Sequence, residues 1–208
     1  MPASTLLVAC GALARELRAV LAQLGPNVSA ATIDVEYLPA SLHNRPEQIP
    51  ARVAAVIDER SGDYERVAVA YADCGTGGLL DAVLDERGIA RLPGAHCYEF
   101  FASAEVFAAL HDAEPGTFYL TDYLARHFDQ LVYIGLGLDR HPQLRDAYFG
   151  NYTRLVLLSQ SDDPALVTMG EHAAERLGLA FEHRHVGLEP FAGSVTTLVV
   201  GRRTTSPA

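Results

Sequence analysis

Short apolar runs alternate with stretches of helical spacing along almost the whole chain, and that alternation limits the architectures open to it. Residues 5–9 are apolar. Residues 12–24 place Leu13, Leu17, Val20, Leu21 and Leu24 on one helix face, which Gly25-Pro26 stops. Residues 32–38 alternate apolar and polar as a strand does, and 51–60 read as a helix. An apolar run over 66–71 leads into Cys74-Gly75-Thr76-Gly77-Gly78 and a helix over 79–86 that ends at Gly88. A helix over 100–111, a short strand over 118–120 and a helix through Phe128 come next. Residues 131–137 fit strand and helix equally. The chain then reads as a strand over 153–159, a helix over 164–177 closed by Gly178, and a last strand over 180–185. The pattern predicts an α/β fold with an open, mostly parallel sheet and helices on both faces, Rossmann-like. A length of 208 residues fits a single domain over 1–200 with a polar C-terminal tail over 201–208.

Charge and composition exclude several functions. The net charge is −10, from 26 acidic and 16 basic residues, which disfavours binding to nucleic acid and to anionic membrane surfaces. All 16 basic residues are arginine. With no lysine there is no Schiff base, no pyridoxal-phosphate anchor and no P-loop lysine. No apolar run approaches the ~20 residues of a membrane span. Leu6-Leu7-Val8-Ala9-Cys10 looks superficially like a lipoprotein cleavage box but lacks a basic segment before it, so it reads as the first strand of a cytoplasmic protein with reduced thiols.

Ligands of open α/β sheets bind at the carboxyl ends of the strands. All three cysteines fall there: Cys10 ends the first strand, Cys74 closely follows the 66–71 strand, and Cys97 follows the segment after Pro93. Thiolates from separate strand ends can converge on one Zn²⁺ or one [4Fe–4S] cluster, leaving a coordination position open. His43, in the loop over 38–46, is the candidate fourth ligand, with solvent as the other choice. A three-cysteine cluster with one free iron also resembles quinolinate synthase in ligand number and α/β context. Three small buried cysteines with no ligand role are the alternative.

A second candidate is the turn Gly75-Thr76-Gly77-Gly78, whose backbone N–H groups before a helix suit an anionic ligand, with Arg45 as a clamp for carboxylate or phosphate. Leu80 stands where a dinucleotide fingerprint needs its third glycine, and a plain βα turn explains the sequence as well. His96-Cys97-Tyr98-Glu99 groups four functional side chains without fixing a role for His96 or Glu99. Glu182-His183-Arg184-His185 puts two histidines on one strand face, which reads as a solvated face.

Several of these stretches together resemble domain of unknown function family 1638, of bacteria and methanogenic archaea. The matching pieces are Ala9-Cys10-Gly11 with Arg15-Glu16, the 38–46 loop, residues 71–78, His96-Cys97, and Pro115-Gly116-Thr117-Phe118-Tyr119-Leu120-Thr121, together covering roughly residues 5–190. The three-cysteine pattern looks shared across that family, which favours a metal site. Many relatives carry a His-Asp-Cys order where this chain has His96-Cys97, a departure that bears on His96. Some relatives are encoded beside corrinoid-dependent methyltransferases. The resemblance therefore implies one-carbon or methyl-group metabolism, with a methyltransferase or corrinoid protein as partner. Three functions are expected candidates: a metal- or cluster-bearing protein, a binding module for a small anionic molecule, or a non-catalytic accessory of a methyltransferase system.

Overall fold

The computed structural model describes residues 5–24 and 33–200. The Gly25-Pro26 stop and the 201–208 tail lie outside them.

β1 (Thr5–Cys10) is buried at every position. A strand with neighbours on both edges and helices on both faces must be apolar throughout, and this one nearly is. It pairs in parallel with β2 (Ile33–Leu38) on one side and β3 (Arg66–Ala70) on the other, with Leu7 opposite Val35 and Ala68. Helices α1 (Ala14–Gln23) and α2 (Ile49–Arg60) lie between these strands in the chain, and α3 (Leu79–Asp85) comes after β3. Gly11 starts the turn into α1, where a Cβ would stand 2.8 Å from the Leu38 carbonyl oxygen, so only glycine lets the ends of β1 and β2 approach this closely.

The chain leaves this sheet through α4 (Cys97–Ala102) and α5 (Ala104–Ala113) and builds a second one. β4 (Thr117–Leu120), β5 (Arg154–Ser159) and β6 (Ala180–His185) pair in parallel in that order. α6 (Asp122–Arg126), α7 (Leu144–Phe149) and α8 (Ala165–Leu177) belong to this half. α9 (Glu189–Val200) returns to the first half, where Phe191 packs 5.3 Å from Phe100 and 4.9 Å from Phe101 between ring centroids.

The α/β class, the parallel strands and the helical flanks are as the sequence predicts, but the strands divide into two three-stranded sheets. The reason lies at the free edge of β3. The Val69 N–H donates to the Ala90 carbonyl and the Leu92 N–H to the Val69 carbonyl, both at 3.0 Å. Residues 90–92 therefore consume the hydrogen bonds that another strand would need, and β4 starts a new sheet.

The helix expected over 100–111 is two helices, broken at Ser103, whose φ of 73° and ψ of 149° lie in a region open essentially to glycine alone. The Ser103 hydroxyl accepts the Val106 N–H at 3.3 Å. Glycine caps a helix nearly as well as serine and is unstrained in this conformation. Ser103→Gly is therefore expected to stabilise the protein by about 1–2 kcal/mol, the backbone relief outweighing a few tenths lost from the cap. A denaturation midpoint at or below that of the wild type would contradict this.

Candidate functional site

The carboxyl ends of the strands of the first sheet face a cavity of about 240 Å³. His43, Cys74, Gly75, His96 and Cys97 line it from this side, and Thr121, Tyr123 and Leu124, just past β4, line it from the second. The site is thus a cleft between the two sheets.

Backbone pairing brings the cysteines together. β1 delivers Cys10, whose sulfur accepts the Ala12 N–H at 3.3 Å. Past β3, the Asp73 N–H donates to the Gly94 carbonyl at 3.1 Å and the Cys74 N–H to the Ala95 carbonyl at 2.8 Å. This ladder carries Cys97, the first residue of α4, to the neighbourhood of Cys74. The Glu99 carboxylate reaches back to the N–H groups of Ala95 (2.7 Å) and His96 (3.2 Å), fixing the start of α4. Cys74 itself has φ of 53°, a left-handed conformation rare for a residue with a Cβ and typical of strained functional positions.

The three thiols sense one another. Burial pushes Cys10 up to about 11 from its ordinary 9.0, against the pull of the Ala12 N–H. Burial pushes Cys74 up to about 12, with Cys10 adding to the shift. Cys97 is raised well above its ordinary value by burial and then by Cys74 and Cys10. All three are free and neutral at pH 7. Among the described residues, no three His, Cys, Asp or Glu side chains stand close enough together to hold a metal ion as they are oriented here. A cysteine sulfur has one torsion, so rotation between staggered wells relocates it without moving the backbone.

Two further groups complete this side. Tyr71 is fully buried, and its hydroxyl meets the Cys10 thiol but no oxygen or nitrogen partner. Burial, followed by the nearness of Cys10 and Cys74, raises its pKa. His43 stacks on Tyr71 at 6.2 Å with the rings 12° apart. Its Nδ1 lies 3.0 Å from the Ala40 carbonyl oxygen, which can only accept, so Nδ1 carries the proton and Nε2 keeps its lone pair. Desolvation lowers the pKa of His43, the Ala40 bond opposes that, and nearby His96 adds to the lowering.

The glycine-rich turn is arranged differently from the anion cradle expected of it. The Asp73 carboxylate accepts the N–H groups of Gly77 (3.0 Å) and Gly78 (2.9 Å) and the Thr76 hydroxyl. Burial works to raise the pKa of Asp73, but these bonds hold it below the usual carboxylate value. The donors are thus already occupied by an internal anion, and an external one would have to displace it. Gly75 does line the cleft, packed over Pro46. Arg45 is exposed and is not among the residues lining the cleft. His183 and His185 share a face as expected, and both meet Ser159, their ring nitrogens 2.9 and 3.2 Å from its hydroxyl.

Tyr71, Tyr123 and Asp122 belong to the site without standing out in the sequence. Buried Asp122 accepts the N–H groups of Gln160 (2.8 Å) and Ser161 (3.1 Å), while its own N–H donates to Gln160 Oε1 (3.0 Å). It ties the ends of β4 and β5 together and sets the adjacent Tyr123 at the cleft. The rule that locates the cysteines, strand ends of a parallel sheet, also covers Thr121-Asp122-Tyr123.

Fold and site together define an α/β protein with two parallel sheets and a thiol-lined cleft between them. The chain belongs to the family described as protein of unknown function DUF1638, whose model matches residues 37–194. No curated protein and no solved structure matches the chain. No helix among the described residues is long and apolar enough to cross a membrane.

Proposed function

We propose that the cleft holds a thiolate-bound metal centre, Zn²⁺ or a [4Fe–4S] cluster, ligated by Cys10, Cys74 and Cys97 with His43 Nε2 or solvent completing the shell. One observation carries this reading: Cys74 and Cys97 line one cavity and Cys10 is buried close by, near enough that ionising one thiol hinders the next. Such a group is poorly built to act as free thiolates. A bound cation reverses the repulsion, because coordination deprotonates a thiol outright. The buried hydroxyl of Tyr71, next to Cys10 and Cys74, suits a donor to a coordinated Cys10 sulfur. Three protein ligands leave a position open, as reactive centres do.

The test is metal and sulfide analysis after anaerobic purification, followed by Cys10→Ser, Cys74→Ser and Cys97→Ser. The wild type is expected to carry zinc, or iron with sulfide, and each substitution to remove most of it. A wild type that is metal-free and takes up neither Zn²⁺ nor a reconstituted cluster would sink the reading. A metal-free binding module for a small molecule is the second reading, favoured by the wide spacing of the side chains as they stand. We place the protein in the cytoplasm on its three free thiols. A setting in methyl-group metabolism, with a methyltransferase or corrinoid protein as partner, rests on the family resemblance alone.

A further inference from the structure

A second pocket, of about 240 Å³, opens beside the cleft and shares Tyr123 with it. Tyr123 is near enough to Cys10 for a charge there to raise its pKa, after the larger effect of burial. The pocket sits where the start of α1 meets α6, so both halves of the protein contribute to it.

Its lining differs from the rest of a protein of net charge −10. Arg15, Arg18, Arg126 and His127 all face it, with Glu16 as the one acidic lining residue. The nearby acids are largely committed. Asp163 pairs with Arg126 Nη2 at 2.7 Å. Asp122 accepts hydrogen bonds from Gln160 and Ser161. Arg15 and Arg18 have no carboxylate partner among the described residues, so the pocket keeps a surplus of positive charge.

Two buried polar atoms in this lining have no hydrogen-bond partner: Glu16 Oε2 and Arg126 Nε. Glu16 is only 5% exposed. An unsatisfied buried polar group costs about 1–3 kcal/mol, more when charged, so the donor Arg126 Nε at this pocket points to an acceptor that the chain does not supply. Burial, then the nearness of Asp122, raises the pKa of Glu16, while Arg15 and Arg126 pull it down.

We propose that this pocket binds the oxyanion end, carboxylate or phosphate, of a small molecule. Arg15 and Arg18 supply charge, and Arg126 Nε supplies a hydrogen bond. The rest of that molecule extends past Tyr123 to the thiols. This last link rests on the function proposed above; the anion pocket does not. Anionic recognition, expected at the glycine-rich turn, thereby moves to the opposite wall of the cleft, where donors are free.

The experiment is calorimetric titration of the full chain, at constant ionic strength, with inorganic phosphate and separately with malonate. It is repeated on the Cys10→Ser/Cys74→Ser/Cys97→Ser triple variant. Saturable binding of at least one anion is expected in both proteins, and whichever binds identifies phosphate or carboxylate as the recognised end. Arg15→Gln/Arg18→Gln, exposed positions whose replacement leaves the core intact, is expected to weaken binding by about tenfold or more, the scale of losing charged hydrogen bonds. Glu16→Gln is expected to retain binding, since it removes the one acidic side chain of the lining. The inference is overturned if the wild type binds neither anion saturably, or if the double arginine variant binds as well as the wild type. Anion binding that persists in a protein shown to take up no metal would sink the thiol centre alone and leave this pocket standing.

Discussion

Between pH 8 and pH 10 the metal-free protein is expected to lose at least about 3 kcal/mol of stability, a large share of the roughly 5–15 kcal/mol typical of a folded domain. The three thiols cause the loss. In the unfolded chain each gives up its proton near the ordinary 9.0, whereas in the folded protein Cys10 keeps it to about 11, Cys74 to about 12, and Cys97 well beyond 9.0. Their folded-state pKa values are raised, so their contribution is fully present below pH 9 and falls as pH rises toward the folded values. At pH 10 Cys10 and Cys74 have each cost roughly one pKa unit, about 1.4 kcal/mol, so the two sum to about 3, and Cys97 adds in the same direction. Tyr71 and Tyr98, also raised by burial first, add to the loss only above their ordinary 10.0. Urea denaturation at pH 8, 9 and 10 measures it. The triple serine variant is expected to lack this decline, and a wild type whose stability stays level to pH 10 would show that the thiols are not buried as described.

That prediction depends on cysteines which the sequence locates, although the single sheet it predicts around them is in fact two. Strands β1, β3, β5 and β6 are legible because each is a compact run bounded by turn residues, and β6 matches its expected limits at both ends. The division into two sheets is not legible. It depends on residues 90–92 pairing with β3, and only Val69↔Arg91 forms a bridge there, too short a segment to register as a strand by composition. α9 escapes a sequence reading for another reason. Pro190, Gly193 and the threonines at 196 and 197 weaken its helical propensity, and the segment is held as a helix by packing Phe191 against Phe100 and Phe101.

The site is legible to the extent that chemistry follows strand ends. Cys10, Cys74, Cys97 and His43 emerge that way; His43, Cys74 and Cys97 line one cleft, and Cys10 is buried close to Cys74 and Cys97. The glycine-rich turn is a subtler case. Its positive-φ glycines do present N–H groups to an anion, as their sequence suggests, but the anion is Asp73, four and five residues back in the chain. Asp73 is visible in the sequence; its role as the internal acceptor depends on the turn geometry. Glu16 and Arg126 are out of reach, because their importance lies in the burial of atoms without partners where α1 of one half meets α6 of the other.

The affinity for Zn²⁺ is expected to rise about a thousandfold for each unit of pH between 6.5 and 7.5, if the centre is built as proposed. Every thiol that coordinates must first lose its proton. With Cys10 at about 11, Cys74 at about 12 and Cys97 well above its ordinary 9.0, all three are still fully protonated across this range. Each bound ion therefore displaces three protons, and each proton contributes a factor of about ten per pH unit. His43 adds little to the slope, since desolvation lowers its pKa and leaves Nε2 unprotonated near neutrality. Ordinary cysteines near 9.0 would give the same limiting slope, but it would flatten as pH approached 9. Here burial keeps it steep beyond that point until the metal-free protein itself begins to unfold. Competition against a chelator of known pH dependence, at half-unit steps from pH 6.5, gives the slope directly. Replacing one cysteine by serine is expected to lower it from three to two. A wild-type slope of one or less would mean that the thiols do not hold the ion.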